Sequence, residues 1–196
     1  MKHRHWWNNV NVKNETAILE ETIEQKLHLD KKVGALIIDM QPDFLSKIRR
    51  SERDVLITSH LEMIKFLAVH NVPIVVLEYN RHGVTQAEIS QEVYKLAKYE
   101  YITKDHNNGF EEGKLDDRLK AWGIQDLIII GINATACVKE TAKSAVKKGY
   151  SIHTARQLIA NPSNSQKEFR KDVLSWYEDN GVYLPDFRKL CKALES

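Results

Sequence analysis

The chain has 196 residues, of which 42% are hydrophobic and 29% charged, a composition typical of one globular domain with a sizeable core and not of a disordered or fibrous protein. Its net charge of +2 comes from 29 basic and 27 acidic residues, so charge alone favours neither a nucleic acid nor an anionic membrane as a partner. Two cysteines are too few for a secreted disulfide framework and no apolar run reaches membrane-spanning length, so we expect a cytoplasmic protein that contacts no membrane.

Short apolar runs alternate with amphipathic segments along most of the chain. Residues 1–32 lack this pattern, and we expect an N-terminal extension that packs on a single domain formed by residues 33–196. Consecutive apolar, β-branched residues predict strands in residues 33–39, 72–78, 100–104, 126–131 and 150–155. Apolar residues at spacings of three and four predict helices in residues 54–70, 85–98, 114–122 and 138–148. Two more helices are predicted near 165–180 and 186–194, with a short strand possible at 181–184.

This alternation predicts an α/β fold: a mostly parallel, doubly wound, Rossmann-like sheet with helices on both faces, which makes a three-layer αβα sandwich. Ligands of such folds collect beyond the carboxyl ends of the strands, above all where the strand order reverses. If the sheet has the order 3-2-1-4-5, the first and fourth strands flank that point. Residues that follow those strands are therefore candidates for a site.

Chemically useful side chains follow three of the predicted strands. Asp39 continues the first apolar run, Lys104 ends the third strand, and a turn after the fourth leads to Cys137 at the predicted start of a helix. A thiol with an ordinary pKa near 8.5 is only a few per cent ionised at pH 7. We expect the helix N-terminus and Lys104 to raise that fraction and Asp39 to accept the proton, which would make Cys137 a nucleophile.

Three sequence motifs occur in order within residues 33–155: DMQPDF at 39–44, ITK at 102–104 followed by Phe110, and GINATACVKETA at 131–142. Together they resemble the isochorismatase-like cysteine hydrolases, a family that includes nicotinamidases, N-carbamoylsarcosine amidases and ureidoacrylate amidohydrolases. The resemblance implies a small-molecule substrate and a homo-oligomer. It also implies a hydrolase that cleaves a small amide or ureido C–N bond through a thioester.

The same resemblance implies roles for individual residues. Asp39, Lys104 and Cys137 would form a catalytic triad. A cis peptide bond would join Ile132 to Asn133, and the N–H groups of Asn133 and Cys137 would bind the oxyanion of a tetrahedral intermediate. Four further residues are predicted to line a pocket: Phe44, Tyr79, Phe110 and Ala134.

The sequence departs from the family pattern in three places. Nicotinamidases usually have an Asp-x-His metal motif after the second strand, whereas residues 78–82 read EYNRH, so we expect neither a metal nor another cofactor, although Glu78 and His82 could bind a cation. Many relatives have threonine three residues before the nucleophile, where this chain has Ala134 followed by Thr135. After the fifth strand, TARQLIA (154–160) lacks the usual Asp-Ala.

Two alternatives to the cysteine hydrolase remain open at this stage. One is an isochorismatase-type enzyme that cleaves a vinyl ether without a covalent intermediate, although such relatives typically lack the cysteine. The other is a binding or assembly protein that keeps the fold without catalysis. Dinucleotide-binding and serine-hydrolase functions are disfavoured because no G-x-G-x-x-G, Walker or G-x-S-x-G motif follows any strand.

Overall fold

The computed structural model of the chain describes residues 32–165 and 173–195. The predicted N-terminal extension lies outside the described residues except for Lys32, and so does the first part of the helix predicted near 165–180. Within the described part, every helix is too short or too polar to span a lipid bilayer.

The described residues contain a seven-stranded sheet whose neighbouring strands are parallel. Its strands are β1 Val33–Ile38, β2 Ile74–Tyr79, β3 Tyr99–Lys104, β4 Asp126–Ile132, β5 Ser151–Ala155, β6 Ile159–Ala160 and β7 Val182–Leu184. The order is β3-β2-β1-β4-β5-β7, and the short β6 pairs with the end of β4. The predicted doubly wound order 3-2-1-4-5 is therefore confirmed. The possible strand at 181–184 is confirmed as β7, which continues the sheet beside β5.

The α-helices of the described part follow these strands along the chain. They are α1 Pro42–Leu45, α2 Arg50–Val69, α3 Ala87–Val93, α4 Lys114–Ala121, α5 Cys137–Lys147, α6 Leu174–Asn180 and α7 Phe187–Glu195. The prediction of a helix over 85–98 was too long, because the chain must turn back after Val93 to enter β3. The predicted start of the second strand at residue 72 was also wrong, since β2 begins after Pro73, which has no N–H for the ladder.

Two apolar layers cover the two faces of the sheet, as the consecutive apolar residues of β1 and β4 predict. Alternate β1 residues face opposite layers: Ala35 and Ile37 belong to one core cluster, and Leu36 and Ile38 to the other. The first cluster contains residues of α2, α3 and α7, and the second contains residues of α4, α5 and α6. The three-layer αβα architecture is thus confirmed.

A glycine brings the ends of β1 and β4 close together. Gly131 pairs with Ile38 and adopts φ 136°, and a Cβ atom built at this position would lie 2.1 Å from the carbonyl oxygen of Ile38. No other residue fits this approach without a shift of the backbone. Asp39 follows Ile38, and the turn that leads to Cys137 follows the end of β4. This contact therefore places the two segments side by side at the carboxyl ends of the strands.

Candidate active site

Asp39 and Lys104 form a buried ion pair beyond the carboxyl ends of the strands. Asp39 follows β1 and adopts φ 55°, a left-handed conformation that Asp tolerates better than most residues. Lys104 is the last residue of β3, and its Nζ lies 2.9 Å from Oδ2 of Asp39. Since β2 separates β1 from β3, the lysine side chain reaches across one strand. Its Nζ lies 4.2 Å from the centroid of the Tyr79 ring on β2.

Burial dominates the electrostatics of the Asp39 carboxyl group. Desolvation raises its pKa above the ordinary value of 3.8, and the charge of Lys104 and the Cys137 thiol act in the opposite direction. Oδ2 accepts the hydrogen bond from Lys104, while Oδ1 has no hydrogen-bond partner among the described residues. A paired carboxylate with one oxygen available is suited to accept a proton.

Cys137 is the first residue of α5, and only 2% of its surface is exposed. Burial and the nearby charge of Asp39 raise the pKa of its thiol to about 12, although Lys104 and a hydrogen bond from the main chain of Asn133 lower it. The sequence predicted that the helix N-terminus and Lys104 would raise the ionised fraction of this thiol. Burial acts in the opposite direction and favours the thiol over the thiolate beside Asp39.

The turn between β4 and α5 has its own framework of main-chain contacts. The peptide bond between Ile132 and Asn133 is cis. The carbonyl oxygen of Asn133 accepts hydrogen bonds from the N–H groups of Ala136 and Val138, at 3.0 and 3.1 Å. Within the described chain, the N–H of Cys137 has no main-chain acceptor. An N–H at this position is available to a ligand oxygen beside the sulfur.

The four residues predicted to line a pocket occupy different environments. Phe44 and Tyr79 make an edge-on aromatic contact with ring centroids 6.2 Å apart, and Tyr79 is partly exposed. Phe110 and Ala134 are buried in the same apolar cluster as Cys137. The structure thus places Tyr79 beside Lys104, and Phe110 and Ala134 in the layer behind the thiol.

Gln41, a residue of the DMQPDF motif to which the sequence assigned no role, holds the end of β2 in place. Its Oε1 accepts a hydrogen bond from the N–H of Tyr79 at 2.8 Å, and its Nε2 donates to the carbonyl oxygens of Tyr79 and Gly83 at 2.9 and 2.6 Å. The side chain is 0% exposed. Its position inside the DMQPDF motif was the sequence signal from which a role for Gln41 could have been predicted.

Asn107 is a second residue that the sequence did not single out. The thiol of Cys137 donates to its Oδ1 at 3.5 Å, a distance typical of a weak sulfur hydrogen bond. Thr141 of α5 fixes the loop that contains Asn107, since its hydroxyl accepts from the N–H of Gly109 at 2.9 Å and donates to the carbonyl oxygen of Asn107 at 3.4 Å. No local pattern predicts this contact, because it joins a loop to a helix 30 residues away.

The side chains at the end of β2 do not fit a catalytic metal ion. Oε1 of Glu78 accepts a hydrogen bond from the N–H of Thr85 at 2.6 Å, and Nδ1 of His82 lies 3.3 Å from Oδ2 of Asp43. In residues 32–165 and 173–195, no group of three His, Cys, Asp or Glu side chains is close enough together to hold a metal.

Comparison with known proteins assigns the chain to a family. The family model of the isochorismatase domain matches residues 34–178, most of the chain. The chain belongs to the isochorismatase family, and it is a hydrolase of that family. It is 25% identical over 187 residues to nicotinamidase 3 of Arabidopsis thaliana, an alignment that covers 84% of this chain and 90% of that protein.

Solved structures of other proteins share the fold. The MAR1 ribonuclease from Caenorhabditis elegans is similar with a TM-score of 0.72 and 20% identity, over 84% of this chain and 81% of that chain. The YcaC gene product of Escherichia coli, an octameric hydrolase of unknown specificity, is similar with a TM-score of 0.72 and 19% identity, over 83% of this chain and 79% of that chain. These similarities show that the three proteins share a fold.

Proposed function

We propose that this protein is a cysteine-dependent hydrolase of a small amide or ureido C–N bond, with Asp39, Lys104 and Cys137 as its catalytic residues. The observation that carries the proposal is the buried Asp39–Lys104 pair, with 2.9 Å between Nζ and Oδ2, beside a buried thiol at the start of a helix. Buried ionised groups are costly, and they concentrate at functional sites. A thiol, a base and a cation together suit acyl transfer.

In the first half of the reaction, the Asp39 carboxylate accepts the proton of the Cys137 thiol while the sulfur attacks the substrate carbonyl. With the pKa of the thiol near 12, sulfur ionises only as this proton moves, so Asp39 acts as a general base during the attack. Lys104 holds the carboxylate in place through its 2.9 Å contact. The N–H groups of Asn133 and Cys137 stabilise the oxyanion.

The second half returns the site to its starting state. The tetrahedral intermediate collapses, the C–N bond breaks, and Asp39 gives its proton to the leaving amine, so a thioester on Cys137 remains. Asp39 then takes a proton from a water molecule while the oxygen of that water attacks the thioester carbonyl. The C–S bond breaks, the acid leaves and the sulfur regains the proton. The sum is one amide and one water converted to one acid and one amine.

The Arabidopsis thaliana relative supports the choice of bond, since a nicotinamidase cleaves a small amide and the alignment covers 90% of that protein. The engaged Glu78 and His82 set this chain apart from a nicotinamidase with a metal site, so we propose an amide or ureide other than nicotinamide. The vinyl-ether alternative makes no use of Cys137, and a binding or assembly role makes no use of a thiol placed beside a buried base and cation.

Mass spectrometry of the intact protein tests the proposal. The protein is incubated with a panel of small amides, ureides and N-carbamoyl acids, quenched in acid and weighed, and the adduct is mapped by peptide digestion. We expect an acyl adduct on Cys137 with a true substrate and none in the Cys137→Ala variant. Turnover of a panel member by Cys137→Ala at the wild-type rate would overturn the mechanism.

We also propose that the enzyme acts as a cytoplasmic homo-oligomer. The octameric state of the YcaC gene product, which shares the fold over 83% of this chain, supports this assembly. Light scattering coupled to size exclusion measures the mass in solution. A monomer of 22.7 kDa across a hundredfold range of concentration would contradict it.

A further inference from the structure

A cavity of about 350 Å³ lies between the start of α2 and the segment that joins β5 to β6. Cavities of this size hold small molecules in many proteins. Glu52 and Val55 line it from α2, and Arg156, Ile159 and Asn161 line it from the opposite side. Asp39, Lys104 and Cys137 do not line it, so the cavity is separate from the candidate active site.

The wall of the cavity is bonded directly to the turn that precedes the nucleophile. The carbonyl oxygen of Ala160 accepts a hydrogen bond from the N–H of Ala134 at 2.9 Å. Asn161 is 0% exposed; its Oδ1 accepts from the N–H of Thr135 at 3.0 Å and its Nδ2 donates to the Thr135 hydroxyl at 2.9 Å. Two residues later the chain reaches Cys137, so a change at this wall acts on the turn through rigid, buried contacts.

Two departures of the sequence from the family pattern lie in the wall of this cavity and in the turn bonded to that wall. Ala134 and Thr135 replace the usual order before the nucleophile, and Thr135 is the residue that binds Asn161. Arg156 and Gln157 stand in the segment that lacks the Asp-Ala of relatives, and both line the cavity. The unusual residues therefore form one connected structure.

The lining indicates the chemistry of an occupant. Arg156 is exposed and takes part in no ion pair with the described residues, so its guanidinium is available for two parallel hydrogen bonds to a carboxylate. Val55 and Ile159 offer apolar surface for the rest of a ligand. The carboxylate of Glu52 on the same wall disfavours a second negative charge in the ligand.

We propose that this cavity binds a small monocarboxylate with an apolar body and that its occupancy stabilises the turn before Cys137. Arg156 binds the carboxylate, the apolar wall holds the aliphatic part, and the Asn161–Thr135 contacts transmit the effect. Such a ligand would act as an effector of the enzyme. The site is defined by binding and does not depend on the proposed reaction.

Calorimetric titration of the full chain with straight-chain monocarboxylates from butanoate to octanoate tests the binding step. We expect one site per chain, affinity that rises with chain length, and weaker binding of the dicarboxylate of equal length. Arg156→Gln should weaken binding about tenfold, the typical effect of losing one charge-assisted contact. Arg188→Gln, which removes an exposed arginine outside the cavity that pairs with Glu62, is the matched control and should bind normally.

Hydrogen exchange of the peptide that spans 131–140 tests the coupling. Saturating ligand should slow exchange in this turn about threefold in the wild type, since binding stabilises the closed state of the segment. Thr135→Val, which removes the hydroxyl contacts with Asn161 and replaces no residue that lines the cavity, should bind the ligand but lose this protection. Absence of saturable binding, or equal affinity for the Arg156→Gln and wild-type proteins, would overturn the site. Unchanged exchange on saturation would overturn the coupling.

Discussion

Nζ of Lys104 lies 2.9 Å from Oδ2 of Asp39 in an ion pair whose side chains are only 2% and 0% exposed. Taking both charges out of water costs free energy that their mutual attraction repays only while both are present. The pair also joins β1 to β3 across the whole width of β2. The two residues therefore depend on each other for the stability of the fold as well as for the proposed reaction.

Lys104→Met should destabilise the protein by about 3–5 kcal/mol, because it leaves the Asp39 carboxylate buried without a partner. The double variant Asp39→Asn with Lys104→Met should recover most of that loss. Urea unfolding followed by circular dichroism measures both. Lys120→Met, which breaks the more exposed ion pair with Asp116, is the control and should cost far less. A loss no larger for Lys104→Met than for this control would contradict the prediction.

Replacement of Cys137 by Ser should lower turnover of an identified substrate about a thousandfold or more, since a serine hydroxyl is a far weaker acid for Asp39 to deprotonate. Cys191→Ser is the matched control. Cys191 lies half-buried on α7, and burial raises the pKa of its thiol to about 12 as well, but the charged groups that act on it, Glu195, Arg188 and Asp186, have exposed side chains and are not a buried pair. Steady-state kinetics of both variants, with their folding checked by circular dichroism, distinguish a nucleophile from an ordinary buried thiol.

The dependence of kcat/KM on pH should show an acid limb set by Asp39. The general base must be ionised, so activity is present above its pKa and is lost as the pH falls through it. Burial raises that pKa above the ordinary 3.8, so the midpoint should lie higher than for an exposed aspartate. Because the thiol pKa is near 12, no increase in kcat/KM should occur near pH 9, where an exposed thiol ionises. Such an increase would indicate a pre-formed thiolate.

The strand order and the meeting of Asp39 with Cys137 could be predicted because they follow from strong local signals. Consecutive apolar residues mark buried parallel strands, and parallel strands bring their carboxyl ends to one edge. The contact of Gly131 with Ile38 then fixes how closely the two segments approach. These features depend on backbone geometry and hydrophobic pattern, which a single sequence shows directly.

The protonation of Cys137 could not be predicted in the same way. Helix position and the nearby lysine are visible in the sequence, but the depth of burial is a tertiary property, and here burial raises the pKa of the thiol more than Lys104 lowers it. The same holds for Asn107, whose contact with the thiol depends on the course of a loop held by Thr141. Burial and loop course are decided by packing between distant segments.

The free energy of unfolding should fall as the pH decreases from 6.5 to about 4, in part because of His60. His60 is fully buried, its Nε2 lies 2.9 Å from the carbonyl oxygen of Leu158, and burial lowers its pKa from 6.5 to about 4. Between these pH values His60 binds a proton in the unfolded chain and not in the folded chain. Its contribution to the free energy of unfolding is therefore fully present above pH 6.5 and is lost as the pH falls towards 4. The full contribution is about 3 kcal/mol.

The variant His60→Gln tests that contribution by the slope of stability against pH. Urea unfolding at several pH values between 4 and 7 should show a flatter dependence in His60→Gln than in the wild type. Equal slopes in the two proteins would show that the pKa of His60 is the same in the folded and unfolded states.

Gly131→Ala should destabilise the protein by about 3 kcal/mol or more, because its Cβ would lie 2.1 Å from the carbonyl oxygen of Ile38, the residue of β1 with which Gly131 pairs. Gly149→Ala is the matched control: Gly149 also has a positive φ, of 91°, but a Cβ there would meet no atom within 4 Å. Its cost should stay near 1 kcal/mol, the conformational term alone. Thermal unfolding of both variants separates the steric contribution from the backbone one, and equal losses would show that the strands can move apart at Gly131.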